Sequence, residues 1–365
     1  MSRGRWMPRS RRRLPRPPLR GVAAAAAIAL AATLLVACGG ARSGTEGTIA
    51  LLLPEAKTAR YETFDRPFFE ERVAELGDFS VLYSNADQDA AKQQQQAESA
   101  LAAGAGVLVL DPVDAKAAVS IVEEATAQNV PVVSYDRLIA GGDLAYYVSF
   151  DNEKVGVLQA TALVDALDRR GEAGGGILMV NGSPTDSNAA LFRDGAATIL
   201  DDSGLRVLAE YDTPDWSPDK AQEWVAGQIA QYGDEIAGVY AANDGTAGGA
   251  ISALRAAAAD PLPVVTGQDA ELSALQRIVT GDQYMTVYKA IKPQAELAAE
   301  VAVTLLRGGA VTAPMEIDGV PTTLLQPVAV TKENILQTVV ADGFWTLDDI
   351  CTPDYAEACR AAGIL

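Results

Sequence analysis

Short apolar runs alternate with stretches of helical character along most of this chain, and that rhythm constrains the fold more than any other feature. Residues 48–53 (TIALLL) read as a buried strand and residues 63–76 as a helix. Strand 79–83, helix 90–103, strand 106–110 (GVLVL), helix 115–128 and strands 130–135 and 146–150 follow. Strands this continuously apolar are buried on both faces, which means a parallel sheet between two helical layers. The pattern then restarts. Helix 154–167 leads to strand 176–180 (GILMV), helix 188–200, strand 206–211, helix 219–232, strand 236–241 and helix 247–258. Strands 263–266 and 284–288 come next, and a short strand at 323–326 lies in the tail. Two such units in succession predict an α/β chain with two doubly wound parallel-sheet lobes.

The N-terminus says where this fold works. Eight arginines and no acidic residue lie between Met1 and Arg20, and an Ala/Leu-rich run over 22–37 follows. A basic head and a short apolar core ending in small residues form a secretory signal peptide. The run is too short and alanine-rich for a permanent span of about 20 residues. It closes on Leu35-Val36-Ala37-Cys38, the arrangement of a lipoprotein cleavage site. Residues 1–37 are expected to be removed and Cys38 to carry lipid. Residues 38–47 would be a linker holding the protein outside the cytoplasm, on the cell membrane. An ordinary signal peptide with a coincidental Cys38 is the alternative.

Charge and composition narrow the function. The signal peptide takes eight of the 29 Lys and Arg, leaving 21 against 48 Asp and Glu, a net charge of about −27. So acidic a surface argues against nucleic acid and against adhesion to anionic lipid. Its expected role is to keep a monomer soluble. There is no histidine, which removes the commonest general base and zinc ligand and excludes a Ser–His–Asp or Cys–His enzyme. No metal or cofactor is expected. Cys351 and Cys359 read as one disulfide stapling the tail, worth about 2.5 kcal/mol at most from loop closure. A redox or metal pair is the alternative. Gly174-Gly175-Gly176 precedes a strand rather than following one, so it is not a phosphate loop.

Ligands of open α/β sheets bind beyond the carboxyl ends of the strands. Those ends carry polar clusters here: Arg60-Tyr61, Asp136-Arg137, the run 182–188 with Asp186 and Asn188, Asp215-Trp216, Asn243-Asp244, Gln268-Asp269 and Lys289. A sugar hydroxyl both donates and accepts, so carboxylates and amides beside Arg and Lys match it, and an aromatic ring matches its C–H face. Hydrogen bonds to charged groups contribute roughly 1.5–3 kcal/mol each, so four or five suffice for micromolar binding after ordering costs. Each residue also has a structural role open to it. Asn243-Asp244 and Asp269 can cap helices, Asp186 can close an Asx turn, Trp216 can be core, and Lys289 can lie on the surface at a hinge.

At these residues the chain resembles the D-xylose-binding receptors of ABC sugar importers, within the ribose/galactose type of periplasmic-binding fold. The resemblance runs from about residue 48 to at least 309. It rests on Tyr135-Asp136-Arg137, Ser149-Phe150-Asp151-Asn152-Glu153-Lys154-Val155-Gly156, Gly182-Ser183-Pro184, Asn243-Asp244 with Thr246-Ala247-Gly248-Gly249-Ala250, Gly267-Gln268-Asp269-Ala270 and Met285-Thr286-Val287-Tyr288-Lys289. It implies two lobes joined by a three-strand hinge and closing on one monosaccharide. The N-terminal lobe would comprise 48–151 and 289–322, the C-terminal lobe 152–288 and 323–365. The resemblance also implies ligand roles for Arg60, Asp136, Arg137, Asn188, Trp216, Asn243, Asp269 and Lys289. Arg137 and Lys289 would donate, Asp136 and Asp269 accept, Asn243 do both and Trp216 stack. The chain departs from the family in having Tyr61 in place of Trp, one extra residue in the loop 60–67, and Ser187 in place of Asn.

The expected function is that of a lipid-anchored receptor for D-xylose or a related aldopyranose such as glucose, delivering it to an ABC permease and its ATPase. Two rivals remain. A sensor of the same fold would present a sugar or furanosyl signal to a membrane receptor. A carbohydrate enzyme would use Asp136 and Asp269 as a carboxylate pair, but Arg137 beside Asp136 favours binding.

Overall fold

The computed structural model describes residues 46–365. The expectations for the signal peptide 1–37, for Cys38 and for the linker up to residue 45 fall outside the described residues. Gly47, predicted as the linker's last residue, is instead the first residue of a strand.

The first unit runs β1 (Gly47–Leu53), α1 (Arg66–Leu76), β2 (Phe79–Asn85), α2 (Ala90–Ala102), β3 (Val107–Leu110), α3 (Val119–Ala127), β4 (Val132–Tyr135) and β5 (Tyr146–Phe150). The second runs α4 (Asn152–Arg170), β6 (Gly176–Asn181), α5 (Ser187–Leu200), β7 (Arg206–Asp212), α6 (Pro218–Tyr232), β8 (Ile236–Ala241), α7 (Asp244–Ala256), β9 (Val264–Val265), α8 (Leu272–Thr280) and β10 (Met285–Tyr288). Then come α9 (Ile291–Leu306), β11 (Met315–Ile317), β12 (Val320–Leu325), β13 (Val328–Thr331), α10 (Leu347–Ile350) and α11 (Ala356–Ala361).

The first sheet has the order β11-β12-β5-β4-β3-β1-β2 and is parallel except for the β11-β12 hairpin. The second, β7-β6-β8-β9, is parallel and extends through a Gln268–Val287 bridge to the antiparallel pair β10-β13. The apolar pattern explains the placement. β3, β4, β5 and β6 are buried along their whole length inside the sheets, whereas the edge strands β2 and β7 are half exposed. In each lobe the strand order reverses beside the opening strand, at β1/β3 and at β6/β8. Helices leave to opposite faces there and a crevice opens.

The chain crosses between lobes between β5 and α4, between β10 and α9, and between β12 and β13. At the first crossing Asp151 caps α4 by accepting from the Lys154 N–H at 3.0 Å, and its own N–H donates to Leu325 O at 2.9 Å. The third crossing lies later than the predicted boundary at 322. β12 stays in register with β5 until Leu325 faces Phe150. Gln326-Pro327 follows, and proline has no N–H with which to continue a ladder.

Some helices differ from expectation. The helix predicted over 115–128 starts at Val119, because Asp114 Oδ1 accepts from the Lys116 and Ala117 N–H groups and holds a turn there. α9 was not predicted. Its Pro293 looks like a breaker but sits in the first turn, where a missing N–H loses no intrahelical bond. Ala295, Ala298, Ala299 and Ala302 pack it onto the first sheet. In the tail, Cys351 and Cys359 form a disulfide. Phe344 and Ile350 are buried with α8 and β10, and Trp345 Nε1 donates to Ala270 O at 2.9 Å.

Candidate functional site

Residues from the carboxyl ends of strands in both lobes converge on one cavity. Arg60 and Tyr61 follow β1; Asp136 and Arg137 follow β4. From the other lobe come Asp186 and Asn188 after β6, Trp216 after β7, Asn243 after β8, Asp269 after β9 and Lys289 after β10. All ten predicted site residues line this cavity, together with Thr58, Phe192 and Gln268. Asp136 (φ 59°), Trp216 (φ 52°) and Asp269 (φ 97°) hold left-handed backbone conformations as the chain turns off its strands. For a bulky residue such as Trp216 that conformation is strained, a condition that clusters at functional sites.

The wall from the first lobe is a buried charge network. Arg60 donates from Nε and Nη2 to both oxygens of Asp65 at 2.9 and 2.7 Å, from Nη2 to Gln294 Oε1 at 2.9 Å, and from Nη1 to Asp136 Oδ1 at 3.0 Å. Four of its five N–H groups are thereby committed to protein. Asp136 Oδ1 also accepts from Gln294 Nε2 at 3.2 Å, which leaves Oδ2 without a protein donor. Burial works against the charged form of Asp136, but Arg60, Lys289 and Arg137 outweigh it and hold the carboxyl well below the usual range. Arg137 donates to Pro112 O and Tyr61 Oη, each at 3.1 Å. Its Nε faces Asp186 of the opposite lobe at 2.9 Å.

The wall from the second lobe combines an aromatic platform with partly free amides. Trp216 Nε1 donates to Asp186 Oδ2 at 3.0 Å, and the ring lies edge-on to Phe192. Gly182 lies against the benzo edge, where a Cβ would stand 2.0 Å from Cη2. Asp186 Oδ1 caps α5 by accepting from the Asn188 N–H at 2.8 Å. Asn188 Nδ2 donates across the cleft to Asp136 O at 3.1 Å, while its Oδ1 has no partner. Asn243 Oδ1 accepts from the Thr246 N–H at 2.9 Å and caps α7. Lys289 Nζ pairs with Asp269 Oδ1 at 3.1 Å and lies over the rings of Phe150 and Phe192.

These partners redistribute the predicted roles. Arg60 spends most of its hydrogen-bonding capacity on Asp65 and Gln294, with one bond to Asp136, and Asp186 spends its oxygens on the Asn188 N–H and Trp216 Nε1. Asn243 was expected to donate and accept, but its oxygen is held by the helix cap, so Nδ2 remains as a donor. Gln268 Oε1, which is buried and unpartnered, adds an acceptor. Gln268 stood in the sequence cluster beside Asp269, yet it was not chosen. Phe192 lies one helical turn beyond Asn188 and carried no polar signal. Gln294 belongs to the helix that was missed. Among the described residues no His/Cys/Asp/Glu group is arranged to hold a metal ion. The lobes also touch at the rim, where the Ala115 N–H donates to Thr185 O at 3.0 Å and Thr185 Oγ1 to Val113 O at 3.1 Å.

Comparisons with known proteins fit this geometry. Residues 49–310 match a family model described as a periplasmic binding protein domain. The D-xylose-binding periplasmic protein of Haemophilus influenzae is 37% identical over 310 residues, covering 83% of this chain and 91% of the relative. The multiple sugar-binding periplasmic receptor of Rhizobium radiobacter is 31% identical over 349 residues, covering 89% and 98%. The crystal structure of an ABC transporter solute binding protein from Clostridium phytofermentans with bound β-D-glucose aligns with a TM-score of 0.77 at 26% identity, over 83% of this chain and 99% of that one.

Proposed function

Because this chain belongs to the periplasmic binding protein family, we propose that it is the sugar-binding receptor of an ABC-type importer, taking D-xylose or a related aldopyranose such as glucose. The observation that carries this reading is the cavity between the lobes. Its walls offer Lys289 and Asn243 Nδ2 as donors, and Asp136 Oδ2, Asp269, Asn188 Oδ1 and Gln268 Oε1 as acceptors, beside the Trp216 and Phe192 rings. That alternation suits hydroxyl groups on a ring with apolar C–H faces. The 37% identity to a D-xylose-binding protein supports xylose as the first candidate. In this reading the lobes close over the sugar and the monomeric receptor hands it to a permease. The lipid on Cys38 keeps it at the membrane, and mass spectrometry of the exported protein tests that attachment.

Calorimetric titration of the purified protein with D-xylose, D-glucose, D-galactose, L-arabinose and D-ribose tests the reading. One-to-one micromolar binding of one or two sugars, with no sugar consumed, is expected; no heat from all five refutes it. Asp269→Ala removes an acceptor and leaves Lys289 buried without its partner. Saturable binding should disappear while the protein stays folded by circular dichroism, and unchanged affinity sinks that assignment.

A further inference from the structure

Asp111 follows β3 and lies outside the cavity lining. It is 0% exposed, and neither carboxylate oxygen accepts a hydrogen bond from the protein. Arg137, in the same lobe, is the cation beside it, with Nε 3.4 Å from Asp111 Oδ1. The same Nε is 2.9 Å from Asp186 Oδ2 on the opposite lobe and is aligned for a hydrogen bond with neither. The other end of the guanidinium is tied within the first lobe to Pro112 O and Tyr61 Oη. When the lobes separate, Asp186 leaves with the second lobe, while Arg137 and Asp111 stay together.

We propose that Asp111 is a positioning residue that opposes lobe closure: it is the partner of Arg137 when the lobes are apart, and it is stranded when closure brings Asp186 to the same nitrogen. The proposal rests on the reading of the cavity as a sugar site between moving lobes. A buried carboxylate without a donor is unfavourable, so part of the free energy of sugar contact is spent on stranding it. The consequence is weaker binding and faster release than the cavity contacts alone would give, which suits a receptor that must surrender its ligand.

A pH dependence follows. Burial raises the Asp111 carboxyl well above its ordinary value in this closed arrangement. Arg137 and Arg60 oppose the rise, and Asp136 and Asp186 reinforce it. The facing hydroxyls of Tyr61 and Tyr147 are themselves pushed up by burial and stay neutral. Closure therefore favours a proton on Asp111. Affinity is highest below the open-state value of this carboxyl and falls as pH rises towards the closed-state value.

The test is titration of the protein and of Asp111→Asn with D-xylose and D-glucose between pH 5 and 8.5, in buffers of different ionisation enthalpy, with small-angle scattering of both proteins without sugar. The unmodified protein should take up a fraction of a proton per sugar bound. Asp111→Asn should bind about tenfold tighter, release sugar more slowly, and lose most of the proton uptake. Its sugar-free radius of gyration should be smaller. Equal or weaker binding by a folded Asp111→Asn overturns the proposal. Should that variant not fold, absence of proton uptake by the unmodified protein overturns it, and uptake supports it. If neither sugar binds the unmodified protein, the sugar reading fails, and scattering alone decides: equal radii for the two proteins refute the role of Asp111, and a smaller radius for the variant upholds it.

Discussion

Gly182→Ala tests whether the aromatic platform is built on the absence of a side chain. A methyl at this position would stand 2.0 Å from Cη2, 2.3 Å from Cζ2 and 2.7 Å from Cζ3 of Trp216. Ordinary contact begins near 3.4 Å, so the ring must retreat by about 1.4 Å. Retreat breaks the 3.0 Å bond from Nε1 to Asp186, which also faces Arg137. Overpacking of this kind destabilises by about 1–3 kcal/mol. Gly182 and Trp216 belong to the same lobe, so that strain is present with the lobes open or closed and appears as lost stability. Affinity falls separately, because the displaced ring enters the ligand's space and gives up a stacking contact of about 0.5–1.5 kcal/mol. The expectation is a melting point lowered by several degrees and D-xylose affinity lowered by about 2- to 13-fold, read by scanning calorimetry and titration. Adding Trp216→Phe, whose smaller ring clears the methyl, should restore the melting point but not the affinity. Gly182→Ala that melts normally and binds within twofold of the unmodified protein would refute the reasoning.

Arg60→Met should leave Asp65 and Asp136 buried without their nearest cation, a loss of about 3–5 kcal/mol. Urea unfolding measures it, and a change below about 1 kcal/mol would mean that the network is not coupled through Arg60. Burial pushes the Asp244 carboxyl up to about 7, with Arg277 opposing and the charge of Asp269 reinforcing, and that of Glu271 up to about 8, reinforced by the charges of Asp244 and Asp269 with Arg277 opposing. Glu271 keeps some solvent contact, so its share is the smaller. An acid whose folded pKa is raised stabilises the fold at low pH and loses that contribution as pH rises from about 4 through the folded values. The melting point should therefore fall between pH 5 and 8.5, and Glu271→Gln should flatten the fall; a flat profile for the unmodified protein contradicts it. Replacing Cys351 and Cys359 together by Ala should lower stability by up to about 2.5 kcal/mol and leave D-xylose affinity within twofold, since the tail does not line the cavity. A tenfold affinity change would place the tail in the binding mechanism.

What the sequence disclosed and what it concealed follow from the range of the interactions concerned. Strand candidates such as 106–110 and 236–241 are legible because a strand buried on both faces must be continuously apolar. Once those strands are parallel, their carboxyl ends share a rim, so Asp136, Asn243 and Lys289 are brought together by topology, although they are distant in the chain. The commitment of each polar atom is a different matter. Asn243 reads as a cap and as a ligand group, and it is positioned to serve as both: its oxygen belongs to α7 and its nitrogen faces the cavity. Arg60 reads as a donor to ligand, yet Asp65, five residues away, and Gln294, on the unpredicted α9, consume its N–H groups. The first of these partners was local and could have been suspected; the second depends on the chain's return to the first lobe after β10. Asp111 gave no signal at all. A lone Asp at the end of β3 becomes informative once it and Asp186 are found beside one nitrogen of Arg137, and that arrangement exists when two lobes meet. Residues lining the cavity could thus be found from strand ends, while Asp111, which we propose opposes lobe closure, required the contacts made between the lobes.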